Sequence, residues 1–216
     1  MLQIAQDLPT LDSPRAVIGL LCSLIIALSV MAVIAAVIID FALYNGSDSG
    51  RPVKRSQRSV VTTASMFGFY LLYYLVLESR VGSVRPGSLP SALLLPLVVA
   101  GSLIVLFGAV VNILGRLALK DNWANHIKIY QQHTLIDFGV YRIVRHPLYA
   151  SLIWMFFGGS LAYANWLAAF LTAAVFVPSM YNRAQQEETL LIQEFSGYTE
   201  YRQRTGMFFP KIKPRR

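Results

Sequence analysis

AVIGLLCSLIIALSVMAVIAAVII, residues 16–39, carries no charged side chain over 24 consecutive positions. A membrane-crossing helix needs about 20 apolar residues and a signal-peptide core about 7–15, so this run reads as an uncleaved membrane helix. Working outward, residues 60–77 and 89–114 form two more runs of spanning length, with Pro96 expected to bend the second. Apolar residues make up 55% of the 216-residue chain and charged ones 14%, against about 25% charged in a typical soluble domain. Mean hydropathy is +0.51. A soluble enzyme, a disordered chain and a coiled coil are excluded. The single cysteine, Cys22, lies inside the first apolar run, which removes a disulfide scaffold. One cysteine and three histidines do not build a conventional structural zinc site, so no metal is expected. The chain reads as an all-α, polytopic membrane protein.

Two shorter apolar runs follow a polar stretch, at 148–163 and 166–181, joined only by Ala164 and Asn165. So tight a joint makes them an antiparallel helical hairpin, crossing the bilayer fully or dipping in and returning. The expectation is one membrane domain over residues 1–216 with about five membrane helices and two polar segments, 115–147 and 182–216. Lys and Arg set the orientation. There is one before the first run, four in residues 40–59, two in 78–88, five in 115–147, none at the hairpin tip and seven in 182–216. The segments with four, five and seven alternate with the poor ones and should be cytoplasmic. The N-terminus is then outside and the C-terminus cytoplasmic, in the plasma or inner membrane of a bacterium or the endoplasmic reticulum of a eukaryote. The net charge of +8 reflects this topology and attraction to anionic membrane lipids. Basic residues scattered over loops do not suggest nucleic-acid binding.

The polar residues that carry chemistry concentrate late and on one side, bracketing the hairpin. They are HTLIDFGVYRIVRHPLY at 133–149 and RAQQEETLLIQEFSGYTEY at 183–201. A site joining a water-soluble cosubstrate to a lipid-dissolved substrate belongs at such a boundary. Singly, each residue has a plain structural reading. Pro147 suits the first position of a helix, where its missing N–H costs nothing. Arg145 and His146 suit interfacial cations, and Tyr141 and Tyr149 an aromatic belt. Arg183 and Glu187 suit a surface ion pair four residues apart. The 120–130 stretch, with Asn122, Trp123, His126 and Lys128, suits an amphipathic helix resting on the membrane.

Jointly, G-x-Y-x-x-x-R-H-P-x-Y at 139–149 and R-x-x-x-E-E-x-x-L-x-x-x-F at 183–195 resemble the isoprenylcysteine carboxyl methyltransferase family. The broader group includes phospholipid N-methyltransferases with a similar signature. The resemblance covers about residues 120–210, and the first two spans read only as anchors. It implies a methyl transfer from S-adenosylmethionine to a lipophilic small molecule or prenylated substrate, with no Rossmann domain. It places His133, Thr134, Leu135, Ile136, Tyr141, Arg145, His146, Pro147, Leu148, Tyr149, Glu187 and Glu188 at the cofactor, with Lys128 aligning less securely. Arg183 falls at the family's substrate-binding arginine, and Arg183 and Glu187 are the implied catalytic pair. Two departures stand out: Gln185 and Gln186 replace further glutamates, and Phe195 is followed by S-G-Y, one residue short of the common pattern, which detaches Tyr198 and Tyr201 from the ligand set.

The chemistry is compatible with these residue types. Methyl transfer from a sulfonium is an in-line displacement, so positioning dominates. A helix start such as that at Pro147 attracts anions. A carboxylate acceptor needs orientation by a cation, which Arg183 supplies. An amine acceptor needs a base such as Glu187 or Glu188. Neighbouring glutamates diverge by about 100° on a helix, so only one of the two is expected to face the site directly. Competing readings are a phospholipid or other amine N-methyltransferase, an NADPH-dependent membrane reductase using Arg142 and Arg145 for a phosphate, and an inactive membrane scaffold.

Overall fold

A computed structural model of the chain describes residues 14–44, 53–57, 60–84, 90–119, 127–130 and 135–211. In chain order the elements are α1 (Pro14–Tyr44), β1 (Val53–Gln57), α2 (Val60–Ser79), α3 (Ser91–Leu119) and β2 (Ile127–Tyr130). After a 3-10 turn (Gly139–Arg142) come α4 (Pro147–Ala162), α5 (Trp166–Leu171), a π turn (Thr172–Phe176), α6 (Val177–Glu194) and α7 (Tyr198–Arg204). Helix α1 over Pro14–Asp40 and α3 over Ala92–Leu119 are long and apolar enough to cross a membrane, and α4 is a shorter apolar helix. Outward faces are apolar too: Leu28 on α1 and Phe67 on α2 are each 68% exposed, alongside many exposed leucines and isoleucines on α1 and α3. Such a surface suits lipid.

The first and third helices outrun their expected limits, and the two overruns explain each other. The apolar runs stop at Ile39 and Leu114 because Asp40 and Arg116 interrupt them. In the fold those two side chains pair with each other, Arg116 Nη1 to Asp40 Oδ2 at 2.5 Å, and both helices continue past them. Helix α3 also runs on through Pro96.

Helix α3 packs along α4 through small residues. A Cβ added at Gly101 would lie 2.5 Å from both the Gly158 carbonyl oxygen and the Ala162 nitrogen. One at Gly108 would lie 2.5 Å from Met155 Cγ, and one at Gly115 would lie 3.0 Å from Leu148 Cδ2. Glycines seven apart thus let the two backbones approach closely. The opposed pairs run 101 with 158–162 and 115 with 148, so the helices are antiparallel and the start of α4 lies beside the end of α3.

Among the described residues the architecture is helical, with one two-stranded antiparallel pair as the exception. Ile127 faces Gln57 and Tyr130 faces Val53 in its register. This corrects the amphipathic-helix reading for 127–130: Ile-Lys-Ile-Tyr alternates with the period of a strand. The rest of that stretch, residues 120–126, lies outside the described residues. The pairing brings the 40–59 and 115–147 segments to the same end of the bundle. At the other end the hairpin tip meets the α2–α3 connection. Val84 N–H donates to the Ala164 carbonyl (2.9 Å) and Trp166 N–H to the Gly82 carbonyl (3.0 Å). Buried Asn165 caps α5 by accepting from Ala168 N–H, and donates to the Val81 carbonyl (3.0 Å) and Ser83 Oγ (3.1 Å).

The second arm of the hairpin does not end at Tyr181. Helix α5, the π turn and α6 are continuous from 166 to 194. Val177 N–H bonds back to the Thr172 carbonyl, five residues earlier. Pro178 follows at once, and the widened turn accommodates a ring that would otherwise press on the preceding turn. Beneath it Phe69 stacks on Phe176 (4.8 Å between ring centres) and meets Phe156 edge-on (5.2 Å). The core thus gathers where α2, α4 and α6 converge, with Val144 and Phe208 at its edge.

Candidate active site

The site forms where α4 begins and α6 passes, held by backbone from the C-terminal segment. Val144 bridges Gly206 in parallel, Arg145 N–H donates to the Gly206 carbonyl (2.8 Å) and His146 N–H to the Met207 carbonyl (3.2 Å). Pro147 then opens α4 at its first position, with Ala150 N–H bonded to the His146 carbonyl (2.9 Å). The chain before α4 is thereby fixed, and so is the direction of His146.

His146 lies between two carboxylates. Its Nε2 is 3.1 Å from Glu188 Oε1 and its Nδ1 is 3.4 Å from Glu187 Oε2. Burial opposes a charged imidazole, but hydrogen bonds and charge from Glu187 and Glu188 outweigh it and raise the pKa above its ordinary value. Both glutamates therefore reach one ring. An imidazole is wide enough to be met at each nitrogen by a different side chain of the same helix turn.

The two glutamates differ in everything else. Glu188 is 1% exposed and surrounded by cations. Arg145 meets its Oε1 through Nε (2.9 Å) and Nη2 (2.8 Å), and Arg202 Nε stands 3.1 Å from Oε2. Burial opposes the charge of Glu188, yet His146 and Arg145 hold its pKa below the ordinary carboxylate value. Arg145 also donates to the Thr205 and Arg202 carbonyls, so it ties α6 to the end of α7. This pair is an internal brace, not a ligand-facing surface, and it leaves Arg145 committed elsewhere than to a phosphate.

Glu187 keeps 23% of its side chain exposed. It accepts a short hydrogen bond from the Tyr149 hydroxyl. That hydroxyl accepts from Arg183 Nε (2.8 Å), and Arg183 lies 3.8 Å from Glu187 Oε1 and donates to Met66 Sδ (3.7 Å). The Tyr149 ring lies nearly parallel to His146, with centres 5.8 Å apart, and Arg183 sits 5.8 Å over it. The order along the site is thus Arg183, Tyr149, Glu187, His146, Glu188, Arg145, running from the first half of α6 toward its C-terminal end.

Of the other expected residues, Tyr141 is buried, with its carbonyl accepting from Tyr201 Oη (2.5 Å) and burial pushing its phenol pKa up. Pro147 is buried and Leu148 half-buried, and both border Gly115 of α3. Leu135 and Ile136 are half-buried in irregular chain. Lys128 pairs with Ser56 in β2, while His133 and Thr134 lie outside the described residues. Tyr198 and Tyr201 are both buried and pack edge-on against each other, 5.7 Å between ring centres, as structural residues of α7. Sequence reasoning missed Arg202, the 205–208 segment, Met66 and the Asp40–Arg116 pair. Only the last left a local sign, a lone charge at the end of each of two apolar runs.

Two helices long and apolar enough to cross a membrane, with a polar cluster shared between the start of a shorter apolar helix and the polar extension of α6, are the features that define the class to be sought among known proteins. Comparison with known proteins narrows it. Residues 100–193 match the model of the isoprenylcysteine carboxyl methyltransferase family. The match begins earlier than the motifs suggested, taking in the glycine face of α3, and stops before the tyrosines of α7. A stretch of 117 residues is 29% identical to a Saccharomyces cerevisiae protein named protein-S-isoprenylcysteine O-methyltransferase. The shared stretch is 53% of this chain and 49% of the yeast protein, so the chain spans about half the length of the curated relative it matches.

Proposed function

We propose that the chain is an integral-membrane methyltransferase that moves a methyl group from S-adenosylmethionine to a lipophilic acceptor, most readily the carboxylate of a prenylcysteine-like substrate. The reading rests on the family match together with one observation: Arg183, Tyr149, Glu187 and His146 form a connected polar row that begins on the membrane side of α6. In this reading the five helical segments cross the bilayer, with the row on the cytoplasmic side.

The donor set suits S-adenosylmethionine. Glu187, the half-exposed carboxylate, suits an ammonium or ribose hydroxyl, and the stacked His146 and Tyr149 rings lie beside it. When bound, that cosubstrate supplies an electrophilic methyl on a cationic sulfur. The protein's own share is placement. Glu188 and Arg145 anchor His146, His146 and Tyr149 orient Glu187, and Tyr149 holds the Arg183 guanidinium in one attitude. A carboxylate is already ionised at neutral pH, so the protein needs no base to activate it. It needs a fixed cation, and Arg183 lies one helical turn nearer the membrane than Glu187, where a lipid-borne carboxylate would arrive. A protonated amine would meet repulsion there.

Purified protein in lipid nanodiscs, given methyl-labelled S-adenosylmethionine and a farnesylcysteine analogue with a free carboxylate, should form a base-labile methyl ester. Arg183→Lys keeps the charge but loses the planar fork, and turnover should fall at least tenfold with little change in cofactor affinity. Label appearing on an aminolipid instead, with Arg183→Lys unimpaired, would overturn the carboxylate assignment.

A further inference from the structure

Helix α1 lies outside the family match and has a single acidic residue, Asp40, in a segment that otherwise offers α3 an apolar face. Asp40 and Arg116 are only 13% and 12% exposed. Arg116 Nε donates onward to Asn112 Oδ1 at 2.9 Å, and Asn112 is completely buried. With Oδ1 occupied by that donor, the amide nitrogen must point to the other side. There it donates to Ser151 Oγ (2.8 Å) and the Leu148 carbonyl (3.4 Å), while the Ser151 hydroxyl donates to the same carbonyl (2.8 Å). Four side chains from three helices thus form one directed chain of hydrogen bonds. It ends on Leu148, between Pro147 and Tyr149, on the turn that presents His146 and Tyr149.

Such a chain is an unusual way to hold apolar helices together. Packing of α1 on α3 needs no charge, and burying an ion pair costs desolvation that the pair only partly returns. What the pair adds is direction. Arg116 fixes which end of the Asn112 amide faces α4, and Asp40 fixes Arg116. With Asp40 neutralised, the long Arg116 side chain gains by swinging toward water and headgroups, as amphipathic cations do at a membrane boundary. The Asn112 amide then loses the donor that sets its orientation.

We propose that Asp40 is a positioning residue for the site: acting through Arg116 and Asn112, it sets the first turn of α4 and so the placement of His146 and Tyr149. Helix α1 is then part of the working enzyme and not an anchor alone. The catalytic half of this proposal rests on the methyltransferase reading above; the structural half does not.

The test uses the full chain in nanodiscs and two readouts, amide hydrogen exchange over residues 147–151 and methyl-transfer turnover. Asp40→Asn should speed exchange at the Ala150 and Ser151 amides about tenfold, the change expected for one lost buried hydrogen bond, and lower turnover by a similar factor. Exchange at the hairpin tip, 164–168, should stay parental. Asp40→Glu should restore both readouts, which a general loss of fold would not allow. In an Asn112→Leu background Asp40→Asn should add nothing further. The proposal is overturned by a folded Asp40→Asn protein with parental exchange and turnover, by Asp40→Glu as impaired as Asp40→Asn, or by a full further loss in the Asn112→Leu background. Should Asp40→Asn not fold, Ser151→Ala removes only one hydroxyl from the chain. It should loosen the same turn, and parental exchange and turnover in that variant would count against the proposal. A parent protein that methylates nothing refutes the functional reading, and the exchange measurements still decide this one.

Discussion

Replacing Glu188 with Gln, and separately Glu187 with Gln, should separate stability from ligand binding between two adjacent residues. Glu188 is buried, and its partner Arg145 is 7% exposed. Neutralising Glu188 while keeping its shape leaves the Arg145 guanidinium without its counter-charge and removes one of the two carboxylates beside His146. Breaking a buried pair in this way costs about 3–5 kcal/mol. Arg202 adds little to that figure, because it is 45% exposed and solvent screens it. For a chain of this size each kcal/mol moves the melting temperature about 2–4 °C, so Glu188→Gln should melt roughly 6–20 °C below the parent. Glu187 is partly exposed and sits 3.8 Å from Arg183 and 3.4 Å from His146, with the Tyr149 hydroxyl as its close partner. Its replacement should cost about 1 kcal/mol of stability. It should, however, weaken S-adenosylmethionine binding about tenfold or more, the loss of a charge-assisted hydrogen bond. Thermal unfolding in detergent by tryptophan fluorescence and calorimetric titration with the cosubstrate read the two effects. If Glu188→Gln melts within two degrees of the parent, or if Glu187→Gln is the more destabilising of the two, the division into brace and ligand face is wrong.

Other measurements bear on the same geometry. The His146 pKa is raised in the folded state, so its contribution to stability is complete below about pH 6.5 and is lost as pH climbs through the higher folded value. Glu188 is lowered, so its contribution holds above about pH 4.5 and fails as pH falls through the lower folded value. The melting temperature should therefore decline on the alkaline side in the parent and lose that decline in His146→Asn; an alkaline decline of equal size in both would assign it to another group. Gly101→Val should open the α3–α4 contact and cost about 1–3 kcal/mol or more, because backbone atoms on α4 stand where the new side chain must go. Gly68→Ala, with nothing within 4 Å of the new Cβ, is the matched control and should be neutral or mildly stabilising by the same melting assay. Cysteines at Ser83 and Trp166 should label from one side of the membrane and those at Ser56 and Arg204 from the other; Ser56 and Ser83 labelling together would remove α2 as a crossing.

Long apolar runs are legible in sequence because transfer to lipid depends on composition along a single stretch of chain. Residues 16–39 and 89–114 accordingly point to α1 and α3 without any tertiary information. Their true ends were not legible, since Asp40 and Arg116 are tolerated only through each other and lie far apart in sequence. Tyr181 looked like the end of a membrane helix because polarity changes at Asn182, yet the following Ala184, Gln185, Gln186 and Glu187 are all good helix formers and the rod continues. The side chains of His146 and Tyr149 and those of Arg183 and Glu187, far apart in sequence, are brought together in the fold. The motif treats Glu187 and Glu188 alike, however, and what separates them is the return of the 202–208 segment, which no local pattern announces. The β1–β2 pair was hidden for a related reason: four residues of alternating character become a strand only when a partner edge is present.

The clasp between residues 144–146 and 206–207 also fixes an order of assembly. Ribosomal synthesis delivers α1 to α6 before Gly206 and Met207 emerge, so these helices can form and pack while the backbone of Arg145 and His146 still lacks its partners. Until then the Arg145 side chain has no Thr205 carbonyl to grip, and Glu188 has lost the fixed cation beside it. A nascent chain at that stage can hold its long helices but not the finished geometry around His146. That geometry is completed when a few residues synthesised after α6 close over the start of a helix made some sixty residues earlier.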